Sequence, residues 1–269
     1  MNRAVKRAFP ARPPNALPRC NLAISYERQG RYDEALAELH RALAEVRALP
    51  HPRFEAFLLS SGLANVYFRS GRPRLAVDCL EQAMVIYAES DDPLDQARLA
   101  LALSWAYDEL AEPAPALRNA RRALELAEEI GERRVAAQAT AAIAAGLRLT
   151  GDLAGSLDAR LHAGNMLRAL GMGAADLEND LALAALHEQA GRLGVATDLY
   201  AAAATRAATM AARHQQAKAL AGAGRTRRTT DPDTAERFLL AAADLLDQVA
   251  PHEAAEIRST LQPFGHAVP

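Results

Sequence analysis

Residues 21–46 read NLAISYERQGRYDEALAELHRALAEV. Leu22, Ala23 and Tyr26 recur at helical spacing, Gly30 interrupts, and Ala35, Leu39 and Ala42 share one face of a second helix. The same order returns along the chain. The second copy is Leu63, Ala64, Tyr67, Gly71, Ala76, Leu80 and Ala83, and the third is Leu103, Ser104, Tyr107, Ala111, Ala116, Ala120 and Ala123. A fourth copy has Ile143, Ala144, Leu147, Gly151, Leu157 and Ala163, and a fifth has Leu183, Ala184, His187, Gly191, Ala196, Tyr200 and Ala203. A worn sixth keeps Ala223, Thr230, Ala235, Leu239 and Ala242. The turn positions are 30, 71, 111, 151, 191 and 230, so the successive intervals are 41, 40, 40, 40 and 39. A period of this size is the mark of a stacked repeat array.

Composition agrees. Of 269 residues, 63 are alanine, the best helix former and a poor strand former, while aromatics supply only 5%. The expected fold is all-α, a right-handed solenoid of about six antiparallel helix pairs with a capping helix at its C-terminal end. No apolar stretch is long and charge-free enough to span a bilayer, and positions 1–20 contain no apolar segment of a signal peptide. Cys20 and Cys79 cannot form a disulfide framework. These features point to a cytoplasmic chain without a membrane partner. Heavy Arg and Ala usage suggests a bacterial source.

The repeats resemble the tetratricopeptide repeat over roughly residues 16–249, in a lengthened form of its helix-pair unit. The longer unit is similar to that of kinesin light chains and of actinobacterial regulators; the run ALELAEEIG at residues 123–131 is most like the latter. Asp92-Pro93 and Asp231-Pro232 mark helix starts, each an N-cap followed by proline in the first turn. The expected pairs are 16–29 with 32–48, 54–70 with 73–88, 93–110 with 113–130, 133–149 with 153–170, 174–190 with 193–211, and 214–228 with 232–248. A last helix near 252–261 covers the exposed face of the final pair, as arrays contacting only their neighbours require. The expected organisation is a flexible basic arm over residues 1–14, a solenoid over 15–262 and a tail over 263–269.

The resemblance implies that the first helix of each pair lines a concave groove. Its register places Cys20, Ile24 and Glu27 there, then Ser61, Asn65 and Phe68, then Leu101, Trp105 and Asp108. Arg148, Glu188 and Arg227 follow in later copies. Phe68 and Trp105 are expected close together with Asn65 beside them, a pair of aromatics and an amide able to hold an extended peptide. The other reading is that Trp105 packs between repeats and Asn65 caps local structure. Asp108 is a groove position, and Arg148, Glu188 and Arg227 either pair with ligand charges or keep the groove solvated. Chaperone-binding members of the family hold a peptide carboxylate with Lys and Asn in one repeat and basic residues in another. Cys20, Ile24, Arg98 and Ala102 stand at those sites, and only Arg98 has the charge, which disfavours that role.

Arg160 replaces an expected apolar residue, so it must reach water, find an acid or meet a partner. The irregular fourth repeat is either drift, a ligand pocket, or a surface for homo-oligomer formation. No HExxH, paired CxxC, calcium loop, phosphate loop or nucleophile elbow is present, so neither metal, cofactor nor catalytic residue is indicated. Positions 1–20 have a charge of +5, leaving −7 for the rest, which disfavours direct DNA binding. The functional expectation is a non-catalytic module that binds a protein or peptide partner in its groove. The alternative is a small-molecule receptor or atypical enzyme with its pocket near Arg148, Arg160 and His187.

Overall fold

The computed structural model describes residues 15–48, 52–88, 92–247 and 250–261. The basic arm and the tail expected from sequence lie outside the described residues, as does position 262. All regular structure among the described residues is helical. The helices are α1 (Ala16–Arg28), α2 (Tyr32–Arg47), α3 (Pro52–Phe57), α4 (Ala64–Arg69), α5 (Pro73–Ala88), α6 (Pro93–Glu109) and α7 (Pro113–Glu129). There follow α8 (Arg133–Leu149), α9 (Leu153–Ala169), α10 (Gly173–Gln189), α11 (Leu193–Thr209), α12 (Arg213–Arg227), α13 (Pro232–Leu246) and α14 (Pro251–Ser259). Helices α3 and α4 are the two ends of one rod, joined through a π-helical turn over Leu58–Leu63. Consecutive helices that pack on each other across short turns run antiparallel, so the chain is an α-solenoid of helix pairs.

Turn chemistry sets the period. Gly30, Gly71, Ala111, Gly131, Gly151, Gly171, Gly191 and Ala211 all have positive φ, and from Ala111 onward their numbers rise in even steps. Each ends a helix in the same manner. Gly30 N–H donates to the carbonyl of Glu27 and Arg31 N–H to that of Tyr26, at 3.0 and 2.9 Å. This pair of hydrogen bonds, of the Schellman type, satisfies carbonyls that the helix leaves unpaired. Helices α6 to α11 each have 17 residues, so the half-repeat is that length plus a short turn. The worn last repeat has 15-residue helices and no positive-φ residue near position 230.

The one longer interval, from Gly30 to Gly71, coincides with the π turn. A π turn closes its hydrogen bonds one residue later than an α turn and so absorbs one extra residue. Side chains in the first part of the turn are thereby set back by one: the cavity described below is lined by Ser60, while Ser61, the position expected by register, is exposed.

The chain divides into two compact units, Met1–Ala142 and Ile143–Pro269. In the first, Leu36, Leu39, Leu43, Leu58, Leu59, Leu63 and Leu80 fill the space between helices, each at most 6% exposed. Burying each leucine contributes about 1.5–3 kcal/mol. Ala35, Ala42, Ala76 and Ala83 are completely enclosed where helices cross, the places a larger side chain would force apart. In the second unit, Leu177, Leu181 and Tyr200 pack with Ala184, Ala196 and Ala203. Leu239, Leu246 and Ala254 form a further cluster with Ala217 and Ala221, against which Ile257 and Leu261 rest. Helix α14 therefore covers apolar surface of the last pair, as a terminal cap must.

Candidate functional site

The first unit holds a cavity of about 730 Å³ between the first helices of the second and third pairs. Asn65 and Phe68 of α4 and Trp105 of α6 line it, with Ala102, Leu80 and Pro73 adding apolar surface. Their positions follow from the cap geometry. Phe68 and Asp108 both sit where a helix carbonyl accepts the N–H of the positive-φ residue, Gly71 or Ala111, and Asn65 and Trp105 lie one turn earlier on the same face. Trp105 is 46% exposed, so it is not a packing residue between repeats. Its indole leaves apolar surface uncovered within an apolar concavity. Trp105 also borders a neighbouring cavity of about 340 Å³ lined by Arg98, Leu101, Glu132, Arg134 and Gln138.

Asn65 does not stand alone. Its Nδ2 donates to Glu27 Oε1 at 3.1 Å, and Arg69 Nη1 donates to the same oxygen at 2.8 Å. Glu27 is only 8% exposed. The carboxylate on α1 thus links α1 to α4 through a charge-assisted pair, and the amide is held by a group that can only accept. Burial is offset by that pairing; an isolated buried carboxylate would be costly.

The other groove positions behave differently. Asp108 is half-buried and does not line the large cavity; Glu109, the next residue, does. Arg69 and Glu109 stand one turn beyond Asn65 and Trp105, outside the three positions per helix that register supplied. In the second unit, Glu188 is engaged internally. Tyr200 Oη donates to its Oε2 at 2.8 Å, and Arg225 meets both its oxygens at 3.2 Å. Burial and this carboxylate both push the Tyr200 hydroxyl above its ordinary range. Arg148 and Arg227 are half-buried. The carbonyl of Arg227 accepts from Thr230 and Asp231, closing α12.

Arg160 is half-buried and is met by an amide. Its Nη1 donates to Asn179 Oδ1 at 3.4 Å, while Asn179 Nδ2 donates back to the Arg160 carbonyl at 3.0 Å. The second unit has its own cavity of about 460 Å³, lined by Leu181, Tyr200, Ala217, Ala221 and Ile257 with Glu178 and Lys218 among its polar groups. None of Arg148, Arg160 and His187 lines it. Burial lowers the affinity of His187 for a proton. It also pushes the Cys20 thiol up, and the Cys79 thiol up to about 11, which makes both weak nucleophiles. Among the described residues, no three His, Cys, Asp or Glu side chains converge as metal ligands would. None of the described helices is long and apolar enough to cross a membrane.

Residues 55–129, which include all the lining residues of the 730 Å³ cavity beside Trp105, match the model of the tetratricopeptide repeat family. No curated protein matches the chain significantly. Solved structures share the fold. Aspartyl phosphate phosphatase F from Bacillus subtilis superposes with a TM-score of 0.73 at 10% identity, over 93% of this chain and 70% of that one. The Rap conjugation gene regulator of the plasmid pLS20, in complex with the Phr* peptide, gives 0.66 at 15% identity over 95% and 76%. The nearly identical tetratricopeptide-like repeats of a putative kinesin light chain from Podosopora anserina give 0.61 at 17% identity over 74% and 98%. At such identities the likeness establishes the fold: this is an α-solenoid of the tetratricopeptide-repeat type.

Proposed function

We propose that this tetratricopeptide-like chain is a non-catalytic regulatory or adaptor module that binds a protein or peptide in the groove of its first unit. The observation that carries the reading is the exposed Trp105, sharing an apolar cavity with Phe68 and Asn65. Large exposed aromatics in concave apolar surface are the usual centres of binding energy in interfaces. The peptide complex of the pLS20 regulator, a structure of the same fold, supports a peptide as the kind of ligand. Asp108 is read as a residue that tunes the charge around that groove, and Arg148, Glu188 and Arg227 as its counterparts in the second unit, with Glu188 acting through Arg225 and Tyr200. Arm, solenoid and tail are read as one binding module with flanking segments.

The test is selection of binders from a random dodecapeptide library displayed on phage, using the full chain. Replacing Phe68 and Trp105 with Ala is expected to raise the Kd of the selected peptides about a thousandfold, two hot-spot truncations of about 2 kcal/mol each. Helicity should be unchanged, because both residues are partly exposed. Peptides that bind the double variant equally well would sink the assignment.

A further inference from the structure

Glu27, Asn65 and Arg69 form a unit whose geometry decides what Asn65 shows a ligand. A side-chain amide has an accepting end and a donating end, and a neighbour fixes which faces where. A carboxylate offers no hydrogen, so at 3.1 Å from Glu27 Oε1 only the Nδ2 end of Asn65 can face it. Oδ1 then remains as the acceptor at the cavity that Phe68 and Trp105 also line. Arg69 Nη1 donates to the same oxygen at 2.8 Å and so holds a nearly buried carboxylate in the place where it turns the amide.

We infer that the Glu27–Arg69 pair is a positioning device: it presents Asn65 Oδ1 to accept a backbone N–H of an extended peptide whose apolar side chain enters the cavity beside Trp105. The inference rests on the peptide-groove reading above. It adds the residues that fix the amide and the polarity of its contact with the ligand. An extended chain carries backbone N–H groups that need an acceptor when water is removed. A helix has already paired its own beyond the first turn. A fixed acceptor next to an apolar cavity therefore selects an extended segment. An amide free to rotate would take an N–H or a C=O equally and would discriminate less.

The experiment uses a library-selected dodecapeptide that depends on Trp105, resynthesised with single amide-to-ester replacements that each delete one N–H. One ester is expected to weaken binding to the native chain about tenfold, the size of one hydrogen bond to a held acceptor. The same ester should cost less than about twofold with Asn65→Ala and with Glu27→Ala. Glu27→Gln should keep the native discrimination, since its amide oxygen can still accept from both Asn65 and Arg69. Each ratio compares two peptides on one protein, so partial unfolding of a variant does not change it. Esters that cost the native chain and Glu27→Ala equally at every position overturn the inference while leaving the groove in place. A library that yields only peptides indifferent to Trp105→Ala overturns the groove reading itself.

Discussion

Arg206 places its Nη2 2.6 Å from Oδ2 of Asp176, a carboxylate with 1% of its surface exposed. Arg168 meets the other oxygen at 3.0 Å, and both arginines also reach Asp180, at 2.6 and 3.6 Å. Three successive helices, α9, α10 and α11, are tied by this four-charge cluster. Asp176 lies in the first turn of α10, where the helix dipole adds to its stability. Removing Asp176 costs about 3 kcal/mol, the loss of two charge-assisted contacts, although both arginines keep Asp180. Asp176→Ala should lower the denaturation free energy of the second unit by about that amount, while Asp180→Ala, at a more exposed carboxylate, should cost less. Urea titrations followed by circular dichroism would show it; equal losses would mean that burial does not control the cluster.

Among the described residues, two of the positive-φ turns use alanine where the others use glycine. Ala111 and Ala211 have φ of 54° and 53°, a conformation that an L side chain resists. Replacing either with glycine removes that strain but loosens the unfolded chain, leaving a net gain of about 0.5–1 kcal/mol. The reverse change, Gly191→Ala, should lose a similar amount. Denaturation midpoints measured on single variants check both signs, and a loss on Ala111→Gly would contradict the strain assigned here.

Gly222 sets two magnitudes against each other. Alanine stabilises a helix interior by about 1 kcal/mol over glycine. A Cβ at this position would stand 2.5 Å from the Tyr200 ring, which is 4% exposed and held through its hydroxyl by Glu188. The ring cannot swing aside without breaking that bond, so overlap of about 1–3 kcal/mol outweighs propensity. Gly222→Ala should be destabilising by about 1 kcal/mol, and Gly222→Ala with Tyr200→Leu should recover much of it. A stabilised single variant would show that the ring moves freely.

The capping helix should undock only in acid. Arg258 meets both oxygens of Asp247, at 2.6 and 2.8 Å, and Asp244 at 3.0 Å, tying α14 to α13. The guanidinium holds the Asp247 carboxyl below the ordinary carboxylate range. A depressed folded value means that the contact is fully present above the unfolded value, about 3.9, and lost as pH falls through the folded one. Hydrogen-exchange protection factors of α14 should therefore hold from about pH 7 to about pH 5 and fall below about pH 4. Arg258→Ala should remove this step. An unchanged pH profile in that variant would assign the step to other groups.

Much of the fold was legible because turns and alanines carry it. The expected pair 93–110 with 113–130 became Pro93–Glu109 with Pro113–Glu129, since Asp92-Pro93, Ala111 and Pro113 each fix a boundary through local chemistry. Asn65, Phe68 and Trp105 share a cavity because one register places them on adjacent first helices. What stayed hidden needs contact between repeats. Nothing along α1 says that Glu27 meets Asn65 and Arg69, a full repeat away, and nothing along α10 says that Asp176 and Asp180 meet Arg168 of α9 and Arg206 of α11. The surplus residue between Gly30 and Gly71 was visible, but its place within the repeat was not, because a π turn has no composition of its own.

In the language of crystals, that surplus is a dislocation. One extra residue enters a nearly periodic lattice, and a single turn at Leu58–Leu63 takes up the whole misfit, with regular helix on either side. The phase of each helix is reset at its terminal turn, so the slip does not propagate: the turns that follow Gly71 fall evenly at Ala111, Gly151 and Gly191. An array that heals phase errors this locally can vary the length of one rod, and so the side chains it turns toward the cavity, without renegotiating the stacking of the rest.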